Sequence, residues 1–271
     1  MDLRWPWELS GMSTETAAVE SPADAFDLTG RRVIVTGASR GIGRATAVAF
    51  AQAGADVLIV ARSASGLEET AQLARGAGRR VEALPLDLEP PEAATECIAT
   101  AADRLGGIDV LVNNAGADSF APIEELAVAD FRRVIDLDLQ SCWLLMKEAS
   151  PHLEDGGGKV INVASIMGTV AMRDESAYVA AKHGLIGVTR AIGLEWARRG
   201  VQVNAIAPGF VETAMGTPDH EGFRKWIKRN TPMGRWAQPV EIAWPTLFLA
   251  SWASDFMTGQ VLVVDGGWTA Q

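Results

Sequence analysis

Residues 33–43 read VIVTGASRGIG, a β-branched run that breaks into a glycine-rich turn and then opens a stretch with apolar residues at helical spacing up to position 53. That order is strand, loop, helix. Glycine at 37, 41 and 43 permits a tight turn and close backbone approach, and the helix start offers free N–H groups to a pyrophosphate. The spacing is wider than G-x-G-x-x-G, so the turn by itself is a moderate signal.

The same alternation continues outward along the chain. Strands are expected at 57–60, 81–84, 108–112, 159–163, 201–205 and 261–264, and helices at 64–77, 91–105, 126–148 and 176–198. Strands that read as continuous apolar runs between helices imply a parallel sheet covered on both faces. The expected fold is therefore α/β: a single-domain, doubly wound Rossmann architecture with a mostly parallel, seven-stranded sheet. A chain of 271 residues, 48% hydrophobic, suits one large domain. Residues 28–271 would form it, with 210–230 as a lid over the substrate.

Residues 1–27 have no basic start followed by an apolar run and do not read as a signal peptide. Their Ser, Thr, Ala, Glu and Pro content predicts a flexible extension, with Trp5, Pro6 and Trp7 available to dock on the body or on a neighbouring subunit. Met12 is an alternative start. A net charge of −10 argues against nucleic acid and an anionic membrane surface as partners. No stretch is long enough to span a bilayer. Cys97 and Cys142 make neither a disulfide framework nor a metal-ligand spacing, so no metal is expected and a cytoplasmic location is.

The second strand ends Val60-Ala61-Arg62-Ser63, where a carboxylate would bind a ribose 2′-hydroxyl and repel a 2′-phosphate. Arg62 stands there instead, and Arg40 lies in the first turn. Two guanidiniums would flank a 2′-phosphate with charge-assisted hydrogen bonds, so NADP(H) is favoured over NAD(H). Asp87-Leu88 and Asn113-Asn114-Ala115-Gly116 follow the third and fourth strands, at the carboxyl ends where ligands bind in open α/β sheets.

The decisive constellation is Ser165, Tyr178 and Lys182. On a helix, positions i and i+4 share a face, so phenol and ammonium point at one cleft. A nearby cation stabilises phenolate, and Tyr178 then exchanges the hydroxyl proton while hydride moves to or from nicotinamide. Ser165, at a strand end, would donate to the substrate oxygen where negative charge develops. The chain has nine Trp and eight Phe but one Tyr, and that one phenol sits beside Lys182.

With TGASRGIG (36–43), NNAG (113–116), Ser165, YVAAK (178–182), NAIAPGFVET (204–213) and TGQVLVVDGG (258–267), the chain resembles the short-chain dehydrogenase/reductase family over nearly everything beyond residue 28. The resemblance implies a cofactor site of Gly37, Ser39, Arg40, Gly41, Ile42, Gly43, Arg62, Asp87, Leu88, Asn114, Ala115, Gly116, Tyr178, Lys182, Pro208, Gly209, Val211 and Thr213. Lys182 would also hold the nicotinamide ribose, and Pro208, Gly209, Val211 and Thr213 the nicotinamide. It implies a homotetramer, or a dimer, acting on a small carbonyl or alcohol substrate.

One departure stands out. The family's fourth catalytic residue is an asparagine in a segment like V-I-D-V-N-L, and this chain reads Val134-Ile135-Asp136-Leu137-Asp138-Leu139. Asp138 would accept from the relay water that the asparagine holds, but its charge favours protonated Lys182 and opposes phenolate formation.

Specificity is expected from Asp118-Ser119-Phe120, Ile166-Met167-Gly168, Arg173-Asp174 and the lid, with Met215, Phe223 and Trp226 as apolar walls. Arg224, Lys225, Lys228 and Arg229 read either as a solvated basic face or as an attractor of anionic substrates. Trp244, Trp252 and Trp268 suit either a subunit interface or the core. The leading reading is an NADP(H)-dependent ketone reductase or secondary-alcohol dehydrogenase. Its alternatives are a 3-oxoacyl thioester (acyl carrier protein) reductase, a gluconate-type sugar-acid dehydrogenase and, from a different class, an NADP(H)-binding sensor or scaffold without turnover.

Overall fold

Strand β1 (Arg32–Thr36) pairs in parallel with β2 (Asp56–Ala61) on one side and β4 (Val110–Asn113) on the other. Its residues from Val33 onward are all buried, because a strand at the centre of a covered sheet has no solvent face. Successive side chains point to opposite faces. Val33 and Val35 accordingly join one core cluster, with Phe50 and Ile242, while Ile34 joins another, with Leu111 and Met146.

The computed structural model describes residues 24–214 and 221–271. The remaining strands are β3 (Val81–Pro85), β5 (Lys159–Val163), β6 (Gln202–Pro208) and β7 (Val261–Val264). All seven run parallel in the order β3-β2-β1-β4-β5-β6-β7. The chain winds outward from β1 to β3 and then returns to the other side of β1 with β4. The reversal opens a crevice at the carboxyl ends of β1 and β4, where ligands bind in such sheets.

Helices α1 (Gly41–Gln52), α2 (Ala64–Arg75) and α8 (Pro239–Ala250) cover one face. Helices α3 (Ala93–Leu105), α5 (Ser141–Glu154) and α6 (Ser176–Trp196) cover the other, with α4 (Val128–Ile135) against α6. Phe50 of α1 is completely buried, and truncating such a side chain to alanine costs about 3–5 kcal/mol. Helix α7 (Glu221–Asn230) brings Phe223 to Phe210, which follows β6, with ring centres 6.3 Å apart.

Two elements differ from the sequence expectation. The stretch 126–148 is not one helix: α4 ends at Ile135, a π turn spans Asp136–Gln140, and α5 begins at Ser141. The second difference is α8, absent from the expected elements, which begins with Pro239 in its first turn and carries Pro245 in its interior.

Near the start of the described chain, the Trp252 indole donates to Asp24 O at 2.8 Å and Phe26 packs on Phe248. Trp5, Pro6, Trp7, Met12 and Met215 lie outside the described residues.

Candidate active site

Gly37 and Gly41 have φ of 65° and 57°, left-handed values that favour glycine. Gly43 is required for a different reason. A Cβ there would lie 2.4 Å from both Asn114 Nδ2 and Gly37 O. The turn is also stitched to the end of β4. Asn114 Nδ2 donates to Thr36 O at 2.8 Å, and Thr36 Oγ1 accepts from the backbone N–H groups of Asn114 and Ala115, each at 2.9 Å. Asn114 therefore braces the glycine turn as well as facing the cleft beside it.

That cleft has a volume of about 890 Å³, toward the upper end for small-molecule sites. Among the sequence-predicted cofactor residues, Gly37, Ser39, Arg40, Gly41 and Ile42 line it, as do Arg62, Asp87, Leu88, Asn114, Ala115, Gly116, Pro208, Gly209, Val211 and Thr213. Gly43 sits behind the turn. Arg40 and Arg62 are exposed at one end, with Arg62 Nη1 4.0 Å from Asp87 Oδ2. A 2′-phosphate there would meet two flexible cations beside the start of α1, and the donor set fits the group. Arg44 also lines the cleft, but its guanidinium is held by Ser39 O, Thr70 Oγ1 and Glu69, the last at 2.8 Å.

At the other end, α6 brings Tyr178 and Lys182 together, with the Lys182 Nζ 5.4 Å from the centre of the Tyr178 ring. Ser165 follows β5 in extended conformation, and its Oγ accepts from Met167 N at 3.1 Å. All three line the cleft. Lys182 Nζ donates to Val163 O at 3.1 Å and lies 3.0 Å from Asp138 Oδ2.

Asp138, in the π turn, is completely buried and does not line the cleft. Its Oδ1 accepts from Ala117 N at 2.7 Å. Its Oδ2 faces the Lys182 ammonium, so Asp138 ties that lysine directly to the loop after β4.

Burial is the largest influence on each titrating group here. It pushes the Tyr178 phenol up; Lys182 and the hydrogen bond with Ser165 pull it down, Asp138 pushes it further up, and the net shift is upward. Burial by itself would lower Lys182, but Asp138 and Tyr178 outweigh it and hold the ammonium firmly protonated. Asp138 is raised by burial in spite of Lys182 and the Ala117 N–H.

Residues 37–269 match a family model described as enoyl-(acyl carrier protein) reductase. The 2-dehydro-3-deoxy-D-gluconate 5-dehydrogenase of Bacillus subtilis is 40% identical over 251 residues, 92% of this chain and 98% of that protein. The D-threitol dehydrogenase of Mycolicibacterium smegmatis is 40% identical over 249 residues, 90% of this chain and 95% of that one. A crystal structure of gluconate 5-dehydrogenase from Burkholderia cenocepacia, in complex with NADP and tartrate, superposes with a TM-score of 0.87 at 34% identity, covering 92% and 99% of the two chains. The chain belongs to the short-chain dehydrogenase/reductase family. It is an oxidoreductase that moves hydride between a nicotinamide cofactor and a CH–OH group of a small molecule.

In this short-chain dehydrogenase/reductase the substrate end of the cleft is only partly the one expected. Asp118, Ile166, Met167 and Phe223 line it, whereas Ser119, Phe120, Gly168, Arg173, Asp174 and Trp226 do not. Phe210, at the start of the expected lid, and Trp236, outside it, complete an aromatic wall, with ring centres 5.6 Å apart and Phe223 6.3 Å from Phe210. The basic residues of α7 stay out of the cleft lining: Arg224 pairs with Glu212 at 2.6 Å and Lys225 with Glu221 at 2.7 Å. Trp244 and Trp252 are exposed, while Trp268 packs on Phe210 at 4.8 Å.

Glu175, one turn before Tyr178, lines the cleft and was missed in the sequence. No helix among the described residues is long and apolar enough to cross a membrane.

Proposed function

We propose that the chain is an NADP(H)-dependent dehydrogenase/reductase that interconverts a secondary alcohol and a ketone on a small hydroxylated substrate. The observation that carries the reading is the convergence of Ser165, Tyr178 and Lys182 on one cleft with the glycine turn. When bound, the cofactor supplies or accepts the hydride. In the reducing direction Tyr178 gives its hydroxyl proton to the carbonyl oxygen as that oxygen gains charge. Ser165 donates a second hydrogen bond to the same oxygen. The Lys182 ammonium steadies the phenolate left behind and would hold the nicotinamide ribose of a bound cofactor. In the oxidising direction Tyr178 takes the proton back. Asp138 acts through Lys182 and is a positioning residue.

Arg40 and Arg62 support NADP(H) over NAD(H), as does the NADP bound by the Burkholderia relative. Residues 28–271 are the catalytic domain in this reading, with 210–230 as its lid. The exposed Phe131, Trp143 and Leu194 on α4, α5 and α6 support a homotetramer or dimer through those helices. A cytoplasmic location rests on charge and cysteine usage.

A second reading, a gluconate-type sugar-acid dehydrogenase, rests on the activities for which relatives are named. The test is turnover of an alcohol and ketone panel with both cofactors, beside titration of NADPH fluorescence. Turnover that falls about 10²–10⁴-fold in Tyr178→Phe, with NADPH binding retained, is the expected result. Tight NADPH binding with no turnover on any substrate overturns it in favour of a sensor or scaffold.

A further inference from the structure

Two carboxylates face the substrate end of the cleft: Asp118, from the loop after β4, and Glu175, from the turn that enters α6. Their elements are tied together, since Ala121 N donates to Asp174 O at 2.8 Å. Asp174 has φ of 65°, and among the described residues it is the one non-glycine with a left-handed backbone. That turn delivers the next residue, Glu175, to the cleft wall beside Tyr178. Burial, and then the charge of Asp118, push the Glu175 carboxyl up to about 7, as expected of acids sharing a partly desolvated space.

Among the described lining residues no free cation balances them; Arg133, outside the lining and 3.9 Å from Glu89, pulls Asp118 down only in part against its burial. Lys182 is paired with Asp138 at 3.0 Å. Arg40, Arg44 and Arg62 belong to the first turn, to α1 and to the end of β2, at the cofactor end. The aromatic part of the lining is Phe210, Phe223 and Trp236, the last with the Arg224 guanidinium, paired with Glu212, 5.0 Å over its ring. A substrate carboxylate placed here would meet like charges and apolar rings, whereas a substrate hydroxyl finds strong acceptors.

We propose that Glu175, with Asp118 beside it, selects neutral polyols and their hydroxyketones, whose hydroxyl groups donate to the two carboxylates, and turns away substrates carrying a carboxylate next to the reacting part. This rests on the dehydrogenase reading above and decides between the polyol and sugar-acid chemistries found among relatives.

The test is steady-state kcat/KM with NADP⁺ at pH 8, where Glu175 is ionised, on D-threitol against D-threonate and D-glucitol against D-gluconate. Members of a pair differ only by CH₂OH against carboxylate. Wild type is expected to favour the polyol by at least about tenfold, and Glu175→Gln to reduce that ratio by about tenfold. Asp118→Asn should reduce it in the same direction, and NADPH affinity confirms that each variant is folded. Preference of wild type for the acid, or a ratio unmoved by Glu175→Gln, overturns the proposal and leaves the dehydrogenase reading intact. Turnover of neither member of either pair overturns the proposal, and the alcohol and ketone panel then decides whether the dehydrogenase reading falls with it.

Discussion

The Lys182 ammonium lies 3.0 Å from the Asp138 carboxylate, and both side chains are shut away from solvent, 5% and 0% exposed. Such a pair answers two electrostatic demands at once. The ammonium lowers the phenol beside it, and the carboxylate keeps the ammonium charged while opposing the phenolate.

Replacing Asp138 with Asn removes the opposing charge and leaves Lys182 acting alone on Tyr178. The pH profile of kcat/KM for alcohol oxidation should therefore shift toward lower pH. Leaving a buried cation without its partner should also cost about 3–5 kcal/mol of stability, read by denaturant titration. A profile identical to the parent's would dismiss the role given to Asp138.

Gly43→Ala puts a methyl group 2.4 Å from Asn114 Nδ2 and Gly37 O, so the first turn must open or Asn114 must leave Thr36. NADPH affinity should fall by at least about tenfold and stability by about 1–3 kcal/mol. Fluorescence titration and thermal melts would show both losses. Retained affinity would mean that the brace between the turn and β4 does not shape the cofactor site.

Arg40→Ala and Arg62→Ala should each lower kcat/KM with NADPH by about tenfold, since a charge-assisted contact contributes about 1.5–3 kcal/mol before exposure weakens it. Values with NADH should hardly change. Equal use of NADH and NADPH by the wild type would sink the argument from both arginines.

Glu175 has a folded-state value of about 7 against an ordinary 4.5, so the native protein holds this proton more tightly than the unfolded chain. Its contribution to stability is fully present below pH 4.5 and lost as pH rises through 7. After discounting for solvent screening the loss is about 1–2 kcal/mol. Melts of wild type and Glu175→Gln between pH 4.5 and 8 should diverge by that amount, the variant being relatively more stable at pH 8. Parallel curves would contradict the burial assigned to Glu175.

Tyr178 and Lys182 were legible in the sequence because spacing along a helix fixes which side chains share a face. The glycine turn was legible because left-handed backbone and close approach both demand glycine. Glu175 was not, since an acid at a helix start reads as an ordinary complement to the helix dipole. Its placement beside Asp118 depends on the Ala121–Asp174 bond, a long-range contact. Helix α8 was masked by Pro245, although Pro239 in the first turn and Glu241, which accepts from Gln238 N at 2.8 Å, are start signals. The π turn carries no compositional mark, because the residues around Asp138 suit an ordinary helix equally well.

That π turn makes chain length a catalytic variable. Asp136–Gln140 accommodates one residue more than a continuous α-helix would hold. Deleting any one of the five would restore regular geometry with α4 and α5 still aligned, but would redirect the turn's own side chains, Asp138 among them. The Asp138 carboxylate could then not keep both Lys182 and the Ala117 N–H as partners. Side-chain changes in this segment can be graded; its length has two settings, and one of them disconnects the lysine.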